Sequence, residues 1–546
     1  MNELETILKE AVAQAYEKAF HAVIATDDIV IEIPKDQSHG DYACNIAMKS
    51  AKALHQNPRV IAQQLVEALD CPQIAHCEIA GPGFMNFTMN KDTMRNVIDV
   101  VLAAGDDYGK NDSGAHRKVN VEYVSANPTG DLHLGHARGA AWGDSVSRIM
   151  QASGYDVCRE YYVNDAGNQI HTLALSLMAR YLQEFGIEKE LPEDGYYGKD
   201  VINIAKAIKE QYGDAYVKQD EMIAYAFFRE QGIQLELDKL RRDLDLFRVH
   251  FDVWSSELSL HESGKVEAVL EKLHDLGHTY EQDGALWFRS SAFGDDKDRV
   301  LRKSDGSYTY LVPDIAYHIT KFERGFDLLV NLWGADHHGY IPRMKAALQA
   351  MGKNPDQLEV DIIQMVRLVD NGEEVKMSKR TGNAVTLREL CEEVGVDAVR
   401  YFFVQRALDT HLDFDLTLAR KQSNDNPVYY AQYAHARICS ILRQVTDVKS
   451  CPSYELLEDA KEIQLLKYIN EFPGVVQDAA KLRSPNKVCN YIQKLAAYFH
   501  SFYNACKVID PTNEELSAQR LALLKATKIT LKNALALIGV EATEKM

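Results

Sequence analysis

Apolar residues in "MNELETILKEAVAQAYEKAF" recur at three- and four-residue steps between charges, which predicts an amphipathic helix at the start of the chain. "IVIEI" is strand-like, and "DYACNIAMKSAKALH" and "RVIAQQLVEAL" carry helical periodicity. "CEIAGPGFMNFTM" predicts strand, Gly-Pro-Gly turn and strand. "AAGDDYGKNDSG" then gathers turn-formers and charge as a linker does, so residues 1–112 form a first α+β domain.

A different alternation follows. "KVNVEYV" is rich in β-branched residues, "HARGAAWGDSVSRIMQASG" is helical up to Gly154, and "YDVCREYYVND" is again strand-like. Strand, long helix and strand make a βαβ unit, so a parallel, Rossmann-like α/β sheet is expected over 113–405. From about 170 to 281 the pattern is helical and charged, as in an insertion. "ALWFRS", "YTYLVPD", "FDLLVNLWGAD" and "EVDIIQMVRLV" are strand-like. From about Val396 the pattern is nearly all helical, and 406–546 is expected to be an all-α bundle. Its last helix has an apolar stripe through Leu524, Leu531, Leu535 and Ile538.

Composition narrows the class. A chain of 546 residues with 46% apolar residues suits roughly three or four globular domains. No apolar run is long enough for a bilayer, and the first residues lack the basic start and apolar stretch of a signal peptide, so a cytoplasmic protein away from membranes is expected. The nine cysteines include no Cys-x-x-Cys pair, which argues against a disulfide framework or a four-cysteine zinc site. A net charge of −19 argues against a non-specific nucleic-acid binder, yet leaves room for local basic strips.

The candidate chemistry begins in "VSANPTGDLHLGHARGA", between a strand and a helix. In a parallel sheet that position offers unpaired N–H groups and a helix dipole to a phosphate. Gly135 lets a ligand approach the backbone, and His133 and His136 can donate to phosphate oxygens, with a nearby triphosphate favouring their charged forms. A surface turn or part of a zinc site are the alternatives for a His-x-x-His pair. About 240 residues later "EVKMSKRTGNAVTL" puts Lys376, Lys379 and Arg380 on a polar loop, suited to the moving charge of a departing pyrophosphate.

His133-Leu134-Gly135-His136 followed by Lys376-Met377-Ser378-Lys379 resembles the paired signatures of class I aminoacyl-tRNA synthetases. "NVEYVSANPTGDLHLGHARG", "HGDYACNIAM", "AGPGFMNF", "VNDAGNQ", "YLVPDIAYH", "WGADHHGYIPRMKAAL" and "DNPVYYAQYAHARICSIL" extend the resemblance, over nearly the whole chain, to arginyl-tRNA synthetases. The resemblance implies activation of L-arginine by ATP to arginyl-adenylate, then transfer to the 3′ end of tRNA(Arg) with release of AMP and pyrophosphate. It implies Mg²⁺ arriving with ATP and no protein-held metal, a monomer, an N-terminal domain touching the tRNA elbow and a C-terminal anticodon-binding bundle. On the matching positions, His133, His136, Lys376 and Lys379 are catalytic, and Gly135, Gly334 and Asp336 join them around ATP. Glu122, Asn127, Tyr310, Asp314 and His337 match arginine-binding positions, and Tyr433 and Arg437 lie where tRNA is bound. The sequence departs from the family in having His337 where glutamine is frequent. It also has Gly130 where many members carry a lysine upstream of the histidine pair, and it keeps Lys379, which many lack.

The residue chemistry agrees with a cationic substrate. Glu122 lies in an apolar strand run, where a carboxylate needs a partner. Asp314 follows the strand-like "YTYLVP", and Tyr310 can stack on a planar guanidinium. For Glu122 a salt bridge to a protein cation is the competing reading; for Asp314 it is a helix N-cap. A synthetase for another amino acid, a small-molecule nucleotidyltransferase and a catalytically silent RNA-binding module are the rival functions.

Overall fold

The computed structural model describes residues 3–34, 36, 39–375, 385–445 and 453–546. Lys376, Lys379 and Arg380 therefore lie outside the described residues. At the centre are five parallel strands: β1 (Lys118–Glu122), β2 (Asp156–Val163), β3 (Val253–Ser256), β4 (Leu328–Gly334) and β5 (Leu358–Ile363). Their order across the sheet is β5-β4-β1-β2-β3, the doubly wound order in which direction reverses between β1 and β4. Ligands of such sheets bind outside the carboxyl ends of the strands at that reversal. Helix Leu134–Ala152 crosses from β1 to β2 and is buried along nearly its whole length. Gly143 makes that possible, because a Cβ there would collide with the ring of the fully buried Tyr123.

An antiparallel sheet lies in the N-terminal unit, with strands Ile31–Glu32, Tyr42–Cys44, Phe84–Met89 and Ile74–Ala80 in spatial order. Its core is separate from that of the parallel sheet, which is continuous with the helical C-terminal unit. The N-terminal unit leans on the helical unit: Arg95 donates to the carbonyls of Glu455 and Leu457, at 2.8 and 3.2 Å from Nη2. Leu524, Leu531, Leu535 and Ile538 are fully buried, as the apolar stripe of the last helix, Glu514–Leu537, predicts. Among the described residues no helix is long and apolar enough to cross a membrane.

Four readings of the pattern need correction. "YTYLVPD" is not a strand: Tyr308 makes one isolated bridge and the chain enters helix Leu311–Glu323. Proline is harmless there, because the first turn of a helix has N–H groups without partners anyway. "ALWFRS" contains a strand, Ala285–Phe288, but it pairs antiparallel with Thr279–Gln282 and Arg299–Arg302 rather than resuming the parallel sheet. The strand that does extend that sheet is β3, inside the span read as helical insertion; its four residues, "VWSS", are too short and polar to stand out by periodicity. "EVDIIQMVRLV" is two elements, β5 and a strand Val366–Asp370 that pairs with Leu412–Asp415 in another sheet.

Candidate active site

His133 is the N-cap of helix Leu134–Ala152, and its Nδ1 accepts from the Gly135 N–H at 3.2 Å. His136, at the third helical position, returns the contact: its Nδ1 accepts from the His133 N–H at 3.4 Å. The pair forms a capping box made of imidazoles, with rings stacked at 3.7 Å. A Cβ on Gly135 would press on His133 Cε1 at 3.2 Å, so the glycine makes room for the histidine stack itself. With both Nδ1 atoms accepting, the neutral rings carry their hydrogen on Nε2. Burial holds His133 below the usual histidine range; burial and the neighbouring His133 push His136 down to about 4. Without a ligand the pair is therefore neutral at pH 7. A phosphate brought against the two Nε2–H groups would draw both pKa values upward.

Described residues that follow the lysine motif in sequence meet this turn. Leu387 N–H donates to the Leu132 carbonyl at 2.7 Å, and Thr386 bridges His133. Thr386 and Glu389 form a second capping box at the start of helix Leu387–Val394. Thr386 and Leu387 are thus anchored directly on the histidine turn.

Glu122 closes β1, flanked by Asn331 of β4 and Glu160 of β2. Its partner is a protein cation: the buried Lys321 ammonium donates to Glu122 Oε2 at 2.6 Å, and Ser125 Oγ donates to Oε1 at 3.2 Å. Lys321 also reaches Asn331 Oδ1 at 3.3 Å. Asn331 Nδ2 donates to His318 Nε2 at 2.8 Å, and His318 Nδ1 donates to the Asp314 carbonyl at 2.7 Å. Burial first, with Lys321 adding, lowers His318 to about 4, so this chain links Glu122 to the Asp314 backbone through a neutral imidazole. Asp314, His318 and Lys321 occupy one face of helix Leu311–Glu323 at four- and seven-residue steps.

Asp314 is neither at a strand end nor an N-cap; it projects from the first turn of its helix, and Tyr310 holds the N-cap position. The Tyr340 hydroxyl donates to Asp314 Oδ2 at 2.6 Å. Burial is the main force raising this carboxyl to about 7; Glu257 and Glu122 push the same way, against Tyr340 and Lys321. Glu257, just past β3, is buried, accepts from the Tyr162 hydroxyl at 2.9 Å and is likewise raised by burial. Tyr162 packs against Tyr317 with the rings tilted and their centroids 4.4 Å apart, which completes an aromatic wall between acidic groups. Such a pocket suits a planar cation.

The other expected residues are less enclosed. Tyr310 is 74% exposed. Asn127 Nδ2 donates to Gln169 Oε1 at 2.8 Å. Gly334 ends β4, and Asp336 and His337 lie in the exposed 3₁₀ turn Ala335–Tyr340, with His337 tilted against Trp333 at 6.4 Å. Tyr340, Glu257, Tyr162 and Lys321 were absent from the residues expected at the site. Lys321 becomes legible once its segment is seen as a helix; Glu257 has no local signal. Between β1 and the histidines, Val124 and Ser125 have φ of +68° and +40°, unusual for a β-branched residue above all. Ser125 Oγ is held by Glu122 and by the Tyr162 N–H at 3.1 Å, so the strained turn is tied to both sides of the pocket.

In the helical unit, Tyr429 and Tyr433 are parallel at 6.2 Å, and Arg437 Nη2 donates to the Tyr503 hydroxyl at 3.1 Å. Tyr433 is partly exposed. His435 is buried and bonded to the Thr543 carbonyl at 2.8 Å, so it serves the fold.

Residues 97–405 match the family described as "tRNA synthetases class I (R), catalytic domain". A doubly wound sheet whose first crossover helix is capped by a His-x-Gly-His turn is thereby the catalytic core of a class I aminoacyl-tRNA synthetase. Residues 3–89 match "Arginyl tRNA synthetase N terminal domain" and 431–546 match "DALR anticodon binding domain". An arginine–tRNA ligase of Bacillus subtilis is 57% identical over 551 residues, covering 100% of this chain and 99% of the relative; one of Bacillus cereus is 56% identical over 559 residues, covering 100% of both. The Thermus thermophilus arginyl-tRNA synthetase structure has the same fold, with TM-score 0.76, 22% identity and 100% of both chains covered. The chain belongs to the arginyl-tRNA synthetase family.

Proposed function

We propose that the crevice at the β1–β4 reversal holds arginine on its acidic side and ATP on its histidine side, as the two halves of an arginine–tRNA ligase site. The chain activates arginine with ATP and passes the arginyl group to the 3′ end of tRNA(Arg). The observation that carries the residue assignment is Asp314: a carboxyl raised to about 7, bonded to Tyr340 and facing Glu257 and Glu122, is suited to a cation. Asp314, Tyr340 and Glu257 take the guanidinium. The strained turn beside Glu122, with Asn127, takes the amino-acid end, and Tyr310 and His337 close over the substrate. His133 and His136 donate Nε2–H to phosphate oxygens, Gly135, Gly334 and Asp336 line the nucleotide, and Lys376 and Lys379 neutralise the leaving pyrophosphate. No protein nucleophile is needed, because the arginine carboxylate attacks the α-phosphorus and catalysis is alignment plus charge stabilisation. Mg²⁺ enters on the phosphates, as a hard cation that keeps most of its ligands from phosphate and water does. Tyr433 stacks on a splayed anticodon base and Arg437 meets phosphate. Domains at 1–112, 113–405 and 406–546, acting as a cytoplasmic monomer, complete the reading.

The test is ATP–pyrophosphate exchange with each amino acid in turn, with and without tRNA(Arg). Exchange with arginine alone among them is expected; exchange with lysine or leucine instead would overturn the pocket assignment.

A pH prediction follows from Asp314. Below pH 7 its carboxyl is protonated in the free site, and a bound guanidinium favours the carboxylate, so binding expels the proton. The arginine KM is expected to rise as pH falls below about 7, approaching about tenfold per pH unit. Calorimetric titration in two buffers of different ionisation enthalpy counts the proton; no release at pH 6 would refute the role. The same raised carboxyl makes the folded chain bind a proton more tightly than the unfolded one. Between 3.8 and about 7 this group therefore makes stability fall as pH rises.

A further inference from the structure

The fully buried Arg400, on helix Val396–Val404, joins three parts of the molecule through one guanidinium. Nη2 binds Asp144 Oδ2 at 2.5 Å, Nη1 donates to the Phe247 carbonyl at 2.9 Å, and Nε donates to the Ile538 carbonyl at 3.0 Å. Asp144 sits on the same helix that His133 caps, and Ile538 directly follows the last helix of the anticodon-binding unit. Gly539, with φ of +67°, lies so close on Arg400 that a Cβ would collide with the guanidinium.

Beyond Gly539 the chain is gripped again. Glu541 N–H donates to Asp397 Oδ1 at 3.1 Å, and Arg248 holds Asp397, the Gly539 carbonyl and Glu541 at 2.6, 3.2 and 3.0 Å. From the other side, helix Pro427–Arg443 holds it. Gln432 Nε2 donates to the Glu541 carbonyl at 2.9 Å, His435 bonds the Thr543 carbonyl, and Arg443 donates to the Glu544 carbonyl at 3.2 Å. That helix carries Tyr433 and Arg437 as well.

We propose that residues 538–544 are a strap through which helix Pro427–Arg443 sets the position of the His133-capped helix, with Arg400 as the positioning residue. The strap stands on the contacts above; that RNA pulls on it rests on the tRNA role assigned to Tyr433 and Arg437. A shift of helix Pro427–Arg443 moves the strap, the strap moves Arg400, and Arg400 moves Asp144. Because Arg400 itself contacts neither arginine nor ATP, a shift passed through Asp144 changes the alignment of the histidine turn more than the number of contacts to either substrate.

The test uses the full chain with Gly539→Ala, which lifts the strap off Arg400, and Arg400→Lys, which keeps a charge for Asp144 but cannot reach both carbonyls. Both variants are expected to lower kcat for pyrophosphate exchange about tenfold or more at a temperature where circular dichroism shows them folded. KM for ATP and arginine should stay within about twofold, the pattern of lost alignment rather than lost binding. Amide exchange should quicken at 538–544 and at 133–140 together. Unchanged kcat in a folded Gly539→Ala protein whose strap amides exchange faster would overturn the proposal, as would a kcat loss matched by equal loss of folded protein. If Gly539→Ala does not fold, Arg443→Ala, which removes the bonds to the Glu544 carbonyl, loosens the strap from its other end and is judged by the same two outcomes. tRNA binding to Arg437→Ala is measured separately: unweakened binding refutes the RNA reading of that face and leaves the kcat result to decide the strap.

Discussion

Asp314→Asn is expected to raise the arginine concentration for half-maximal pyrophosphate exchange by about two orders of magnitude, because removing one charge of a buried pair costs roughly 2–5 kcal/mol. The amide has the shape of the carboxyl but no charge. It also turns half of its hydrogen-bonding capacity from acceptor to donor, opposite a Tyr340 hydroxyl that donates at 2.6 Å in the native protein. Among the described residues Glu257 remains as the nearby acid on that side, itself bonded to Tyr162 and raised by burial. Glu122 cannot compensate, since Lys321 already holds it at 2.6 Å. The ATP requirement should be unchanged, because the histidine turn lies on another element. Two further results belong to the same expectation. The proton released on arginine binding near pH 6 disappears in the variant, and the free protein loses the fall in stability with rising pH that the raised carboxyl causes. A variant whose ATP requirement rises while its arginine requirement stays fixed would remove Asp314 from the pocket.

What the sequence made legible and what it hid divides along a physical line. The βαβ unit from Lys118 to Val163 is local: periodicity, β-branched residues and a glycine stop are all written within it, and the helix and both strands are where the pattern predicts. The histidine pair is local too, because a cap and its third-position partner are three residues apart. The partners of Glu122 are not. Lys321 is 199 residues away in sequence, and the choice between a substrate cation and a protein cation is decided by a helix folding over the sheet. "YTYLVPD" reads as strand because four tyrosine or β-branched residues outweigh a proline in strand propensity, while the buried face of the following helix decides the matter. Glu257 follows a four-residue strand with no periodicity to mark it. Propensity thus reaches as far as one supersecondary unit, and the acidic pocket is assembled from four of them.

His136→Ala is expected to slow arginine activation about 10²- to 10³-fold, the cost of removing one preorganised donor from developing charge. Stability should fall by only about 1 kcal/mol, the scale of a lost cap contact, because the His133 N–H loses one acceptor near the protein surface. The two effects separate because the ring has two atoms to lose: Nδ1 completes the capping box, and Nε2 carries the proton that the proposed site directs at phosphate. Stacking at 3.7 Å also means that the histidines are not independent. His133→Ala removes the N-cap acceptor and leaves His136 without its stacking surface, so the double variant should lose less activity than the two single losses multiplied together. His136→Gln places an amide donor near the position of Nε2 and should recover part of the rate, whereas charge alone does not explain such recovery, since the unliganded ring is neutral at pH 7. Single-turnover adenylate formation, measured beside thermal unfolding, distinguishes these outcomes: a rate loss no larger than the stability loss implies would leave the imidazole as a cap and nothing more.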